Sequence, residues 1–319
     1  LNILFITANR LGDAVLSTGI LGALINRNPR ARVTVACGPL AVSLFSGIPQ
    51  VERTIVMIKQ PHHRHWLALW RQTFGTMWDM IVDLRNTLIS RALPRRRLKV
   101  FAGPRPRQHM VEALAALIGL DAAAAAPRLW YDTDSLDRIA AAIPAQTPFL
   151  ALAPGANAVG KRWPAERYAE LAVRLLGTGG VLAGGKLAIL GAPGEEAQAA
   201  PLLDALPPDR VIDLVGRTDP HVAAAWLAHA HLFVGNDSGL THLAAAAGAP
   251  TLALFGPGLP ARYRPWGRFA EYLIPDDDPD RRMDLCKIDD SLALDEMKKL
   301  SVDQVAAAAA ALYRRAFPS

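Results

Sequence analysis

Short apolar runs alternate with helical periodicity from one end of the chain to the other. In the first half the runs NILFIT (2–7), RVTVAC (32–37), RTIVMI (53–58), DMIVDL (79–84) and KVFAG (99–103) predict strands, with helical patterns at 13–27, 39–46, 64–75 and 109–119. In the second half FLALAP (149–154), LAIL (187–190), VIDLVG (211–216), LFVGN (232–236) and TLALFG (251–256) predict strands, separated by helices at 164–176, 195–205, 221–229 and 239–248. Strands that are apolar throughout are covered on both faces, which predicts parallel sheets flanked by helices. The expected fold class is therefore α/β, with doubly wound sheets.

The 319 residues suffice for two such domains. The halves meet near IPAQTP (143–148), after the helical stretch SLDRIAAAI, which predicts one domain over 1–145 and a second over 146–300. The last helix, SVDQVAAAAAALYRRAF (301–317), is long enough to pack back across the first domain. The Ala-rich tracts at 122–126 and 306–311 read as helix composition. Ligands of doubly wound sheets bind beyond the carboxyl ends of the strands, so the expected site lies where two such sheets face each other.

Apolar residues make up 51% of the chain and charged residues 20%, the profile of a soluble globular protein. No run reaches the roughly 18 uncharged apolar residues of a membrane-spanning helix. The start, LNILFITANRLGDAV, has neither a basic leader nor a small-residue cleavage site and reads as a first strand. Cys37 and Cys286 are far apart, which suits a reducing cytoplasm and offers no metal framework. HHRH (62–65) is the one histidine-rich spot and has no carboxylate beside it, so no metal site is expected. The net charge of +6 is unevenly spread: RALPRRRLKVFAGPRPR (91–107) is dense in Lys and Arg and has no acid, which predicts a polyanionic partner.

The stretch GNDSGLTHLAAAAGAPTLALFGP (235–257) carries the most specific chemistry. It ends a strand, turns through small and polar residues, and begins a helix, so Asp237 and Ser238 sit where unpaired N–H groups and the helix dipole favour an anion. Ser238 and Gly239 have little bulk, and His242 leans toward the same end; together they read as a diphosphate cradle. Asp and Ser are equally the preferred caps of any helix. Because the carboxylate of Asp237 repels a diphosphate, it is expected to cap the helix or to accept from sugar hydroxyls.

This stretch resembles the signature of glycosyltransferase family 9, the ADP-heptose:lipopolysaccharide heptosyltransferases. RLGDAVLSTGILGAL (10–24), PGANAVGKRWPAERYAELA (154–172) and LGAPGEEAQA (190–199) resemble further family segments in the expected order. The resemblance implies a GT-B fold, two Rossmann-like domains facing across a cleft, with the acceptor in the first and the nucleotide-sugar in the second. It implies inverting, metal-independent transfer of heptose from ADP-heptose to a lipopolysaccharide inner-core acceptor of the Kdo-lipid A type. No cofactor beyond the donor substrate is implied, and no nucleic acid. The expected location is cytoplasmic, with peripheral contact to the inner membrane.

Carried onto this chain, the resemblance makes Asp13 the base, although its position alone reads as a cap for helix 14–27. It favours Lys161 over its neighbour Arg162 for stabilising the departing diphosphate. Gly155, Asn157, Asp237, Ser238, Gly239, Leu240 and His242 become donor-binding candidates. Glu195, or Glu196 beside it, becomes the ribose ligand. Acceptor candidates are Arg10, Gly12, Arg85, Arg95 and Arg97, with Arg96, Lys99, Arg105 and Arg107 in the same basic stretch. The chain departs from the family at Thr18-Gly19, at Ala156-Asn157 and at Gly258-Leu259-Pro260. Another nucleotide-sugar, an acceptor outside lipopolysaccharide, or a non-catalytic nucleotide-sugar binder remain alternatives. A dinucleotide oxidoreductase is disfavoured, because NRLGDAV lacks the G-x-G-x-x-G turn.

Overall fold

The computed structural model describes residues 1–131, 136–137, 139, 143, 147–256, 258–275 and 290–318. Residues 144–146 of the expected linker, part of the helical stretch ahead of it, Pro257 and Cys286 lie outside the described residues. The chain divides into two compact units, Leu1–Trp130 and Tyr131–Ser319.

The first unit is built on a five-stranded sheet in the order β3-β2-β1-β4-β5, parallel throughout. Its strands are β1 (Asn2–Ile6), β2 (Arg32–Cys37), β3 (Val51–Val56), β4 (Met80–Asp83) and β5 (Leu98–Val100). The second unit holds a six-stranded parallel sheet in the order β11-β10-β9-β6-β7-β8. Here the strands are β6 (Phe149–Ala153), β7 (Lys186–Ile189), β8 (Val211–Asp213), β9 (Leu232–Asn236), β10 (Thr251–Leu254) and β11 (Ala270–Leu273). The central strands β6 and β9 are buried at every residue, as their uninterrupted apolar sequences require. The strand order reverses between β1 and β4 in the first sheet and between β6 and β9 in the second. Beyond those carboxyl ends such sheets open a crevice.

Three features differ from the sequence expectation. Strand β11 was not anticipated, because AEYL is a half-exposed edge strand only four residues long. The Ala-rich tract at 122–126 is not helical. It turns back on itself, with Asp121 Oδ1 accepting from the N–H of Ala124 at 2.8 Å. The last helix, Val302–Ala316, buries Val305, Ala309 and Leu312 in the core of the second unit. Helix Leu11–Arg27 begins three residues before the expected 14, which places Asp13 inside the first turn and not at the cap.

The departure at Thr18-Gly19 has a packing reason. A Cβ on Gly19 would lie 2.0 Å from the carbonyl oxygen of Ala125, and Thr18 Oγ1 accepts from the N–H of Arg128 at 3.0 Å. These two residues dock the 121–128 segment onto helix Leu11–Arg27, and a larger residue at 19 has no room. Cys37 is buried at the end of β2, where burial pushes its thiol up to about 12 and leaves it unreactive.

Candidate functional site

The donor-side candidates of the second unit gather at the carboxyl ends of β6 and β9. Asn236, the last residue of β9, is the hub. Its side-chain carbonyl accepts from the N–H of Trp163 and from the hydroxyl of Tyr168, both at 3.0 Å, and its amide donates to the carbonyl of Pro154 at 2.8 Å. A buried amide satisfied on both ends is costly to disturb, so these bonds fix the 154–163 loop against the strand. In the sequence Asn236 reads only as the last residue of the strand LFVGN. The signal was there: a polar residue closing a wholly apolar strand needs buried partners.

The fixed loop carries Lys161 to the start of helix Gly239–Ala247. Lys161 Nζ lies 2.5 Å from Asp237 Oδ2, with side-chain exposures of 27% and 9%. Asp237 therefore neither caps the helix nor stands as an unbalanced negative charge; it is paired with the lysine. Ser238 occupies the cap position in extended backbone, but its side chain makes no cap hydrogen bond. The Ser238 hydroxyl oxygen is buried and has no hydrogen-bond partner among the described residues. Gly239 and Leu240 form the opening turn of the helix, and His242, in the second turn, is buried. The end of this helix thus presents backbone N–H groups, an unpartnered hydroxyl and a lysine within one small region, which suits an anion.

The structure separates two pairs that sequence left open. Arg162 turns away from the cradle, with its Nε donating to the carbonyl of Ala156 at 2.9 Å, so the cation at the helix start is Lys161. Glu195 accepts from the N–H of Ala192 at 2.8 Å and packs directly over Gly155, where a Cβ would come within 2.1 Å of its Oε2. Glu196 instead closes on its own loop, accepting from the N–H of Gly194 at 3.1 Å; these backbone bonds hold its carboxyl below the usual range. Glu195 is therefore packed against Gly155 beyond β6, while Glu196 lies toward Gly194 and Gly216, beyond β7 and β8. Asn157 is exposed on the loop between Gly155 and Lys161.

In the first unit the candidates divide between opposite edges of the sheet. Asp13 lies in the first turn of helix Leu11–Arg27, partly exposed, immediately after the turn that carries Arg10 and Gly12 from the carboxyl end of β1. Arg85 follows β4 at the same edge and donates to Asn9 Oδ1 at 2.9 Å, while its guanidinium sits 4.7 Å from the centre of the Trp66 ring. Asp83 orders this corner, accepting from the Arg85 N–H at 2.9 Å and from the Thr87 N–H and hydroxyl at 2.7 Å. Asn9, Trp66 and Asp83 were not anticipated, since each acts by holding Arg85 and none belongs to a recognisable motif.

Arg95 and Arg97 stand apart from Arg85 in the first sheet. Arg95 bridges Trp78, ahead of β4, and donates to the carbonyls of Arg91 and Leu93 at 2.7 and 2.9 Å. Arg97 immediately precedes β5. Both lie at the amino edge of the sheet, away from Asp13 and Arg85, because residues 91–97 lead into a strand and do not leave one. Arg105 and Arg107 follow β5 and belong to the carboxyl edge. There Arg105, Gln108 and Gly103 help line a cavity of 220 Å³ against helix Met110–Leu117.

Among the described residues no group of three or more His, Cys, Asp or Glu is placed to hold a metal ion. HHRH forms a tight turn in which His62 and His63 take left-handed backbone and His65 Nδ1 accepts from the Gln60 N–H at 3.3 Å.

The sequence profile of glycosyltransferase family 9 (heptosyltransferase) matches residues 96–283, more than half of the chain. Over 124 residues the chain is 35% identical to lipooligosaccharide heptosyltransferase 2 of Haemophilus influenzae, a stretch covering 38% of this chain and 34% of that protein. The first curated relatives are thus matched over about a third of their length. The structure is similar to Escherichia coli ADP-heptose lps heptosyltransferase II, with a TM-score of 0.78 and 22% identity over 99% of each chain. It is similar also to the glycosyl transferase family 9 structure from Veillonella parvula, with a TM-score of 0.81 and 19% identity over 98% of this chain and 97% of that one. At such identities the likeness shows the fold alone, a GT-B fold of two Rossmann-like units. The profile match decides the rest: the chain belongs to glycosyltransferase family 9, the heptosyltransferases.

Proposed function

We propose that the chain transfers heptose from ADP-heptose to the inner core of a lipopolysaccharide acceptor, with inversion and without a metal ion. The observation that supports this reading best is the arrangement at the start of helix Gly239–Ala247. Lys161 and Asp237 pair at 2.5 Å beside the buried, unpartnered hydroxyl of Ser238. In the proposed reaction the diphosphate of the donor rests against the amides of Ser238, Gly239 and Leu240 and accepts from Lys161. Glu195, held over Gly155, accepts from the ribose hydroxyls. The acceptor hydroxyl attacks the anomeric carbon as its proton passes to the Asp13 carboxylate, and the bond from that carbon to the ADP oxygen breaks. Lys161 and the helix end stabilise the charge that develops on the departing ADP. Arg10, Gly12 and Arg85 receive the anionic acceptor at the edge that carries Asp13.

The sequence carries Asp-Thr-Asp at 132–134 and a run of aspartates at 276–278, outside the described residues, so the metal term needs its own arm. Chelator-treated protein with ADP-heptose and Kdo-lipid A should form heptosylated product at the rate of untreated protein. Asp13→Asn should lower kcat by at least about a hundredfold while ADP still binds. Normal turnover by that variant refutes the base. Turnover with UDP- or GDP-sugars alone refutes the donor, and loss of activity on chelation that added metal restores refutes metal independence.

A further inference from the structure

Between Glu52 and Asp79 the chain has no carboxylate, yet it carries Arg53, Lys59, Arg64 and Arg71 and three of the seven tryptophans. In the structure this segment supplies edge strand β3, a tight turn and helix Arg64–Thr73, which covers one face of the first sheet. The helix buries His65, Leu69 and Thr73. Its solvent-facing side mixes Leu67 with Arg64 and Arg71, and the exposed Phe74 follows at its C-terminal cap. Leu67 is 48% exposed, Phe74 49% and Met77 56%. Leu67 and Phe74 fall at i and i+7 on one exposed stripe, and the Phe74 ring stacks at 4.8 Å on Trp70, which packs inward against the core. Arg64 and Arg71, both exposed, stand three residues before and four after Leu67 and so flank the stripe.

We propose that this stripe is a docking surface for an anionic lipid bilayer. An amphipathic helix with aromatic and aliphatic side chains outward, cations beside them and no acid nearby is the pattern that lies in the headgroup layer. The charges extend beyond the helix. From Arg53 to Val111 the chain has twelve Lys or Arg and two carboxylates. Of those two, Asp83 is buried and accepts from Thr87 and Arg85, and Asp79 pairs with Arg96 at 3.3 Å. Neither offsets the field in front of the stripe. A second copy of the chain is a poor occupant, because a twofold contact through this face sets Arg64 and Arg71 against their own copies. Among the described residues no helix is long and apolar enough to cross a membrane, so the contact is with the surface of the bilayer. This inference stands apart from the assignment of donor and acceptor.

The test is flotation of the full chain with vesicles of phosphatidylcholine alone and with vesicles in which about a quarter of the lipid is phosphatidylglycerol. The chain should bind the anionic vesicles, release in high salt, and bind the neutral ones far more weakly. Arg64→Gln with Arg71→Gln should lower the partition coefficient on anionic vesicles by roughly tenfold or more. Leu67→Glu with Phe74→Glu should lower it at least as far on the same vesicles. The control is Arg27→Gln with Arg30→Gln, which removes equal charge from exposed positions at the end of helix Leu11–Arg27. This control should bind as the unaltered chain does. Equal loss in the control overturns the proposal in favour of net charge alone. Unchanged binding by the Leu67/Phe74 variant overturns it outright, as does a dimer in sedimentation that this variant dissociates. All variants change exposed side chains, and unchanged melting temperatures establish that each is folded.

Discussion

Lys161→Met separates the two roles that the 2.5 Å pair gives this lysine. In the absence of ligand the change strands Asp237. Breaking a fully buried pair costs about 3–5 kcal/mol and breaking an exposed one about 0–1 kcal/mol. With the lysine 27% exposed and Asp237 9% exposed, and with the helix N-terminus still favouring the carboxylate, the expected loss is about 1–2 kcal/mol. ADP binding suffers twice. A charge-assisted hydrogen bond worth about 1.5–3 kcal/mol disappears. The freed carboxylate then repels the diphosphate, by about 3 kcal/mol for a unit charge at about 6 Å and an effective dielectric of about 20. Calorimetric titration at fixed ionic strength should show the dissociation constant of ADP rising by at least about tenfold. Asp237→Asn alone should bind ADP as well as the unaltered chain or better. The double variant should bind ADP more tightly than Lys161→Met, since its repulsion is gone. Adenosine, which has no phosphate, should bind all four proteins alike. A Lys161→Met protein that binds ADP within about twofold of the unaltered chain refutes the cradle. A double variant no tighter than Lys161→Met refutes the repulsion while leaving the lysine contact.

Gly155→Ala should act through Glu195, because the new Cβ would lie 2.1 Å from its carboxylate and force it off the edge. ADP affinity should fall about tenfold in that variant and in Glu195→Gln, through loss of roughly one hydrogen bond to ribose. Glu196→Gln should leave affinity unchanged, and calorimetry that finds the reverse order returns the ribose role to Glu196. A pH effect follows from His231, whose Nδ1 accepts from the N–H of Phe149 at 3.2 Å and whose partial burial lowers its pKa. With the folded pKa below the unfolded value of about 6.5, the stability it contributes is present above that value and is lost as pH falls toward the folded one. Melting temperature should therefore drop between about pH 7 and pH 5, with a shallower slope in His231→Gln; equal slopes refute this source.

The core strands were legible because a strand buried on both faces leaves no alternation to misread. FLALA and LFVGN appear in the structure within a residue of their expected bounds. Elements that bury little were not legible. Strand β11 is short and half-exposed, and the alanines at 122–126 turn because Gly19 and Thr18 hold them, a contact more than a hundred residues away in sequence. The group at the start of helix Gly239–Ala247 was legible as a set of residues and illegible as a set of bonds. Sequence put Lys161 and Asp237 near phosphate, but their mutual pairing depends on the Asn236 bonds that anchor the intervening loop.

The same reasoning explains why the basic stretch misled. Charge density along a sequence says nothing of which end of a strand it precedes, and β5 divides residues 91–107 into an amino-edge part and a carboxyl-edge part. Arg85 stands at the carboxyl edge because it follows a strand, and Arg95 and Arg97 stand at the amino edge because they lead into one. In a parallel sheet every strand end of one kind faces the same edge, so the position of a cation relative to its strand outweighs the number of cations around it. Applied to the second unit, that rule selects Gly155, Glu195 and Asp237, each beyond the carboxyl end of β6, β7 or β9. It would equally discard any basic cluster ahead of those strands, however dense.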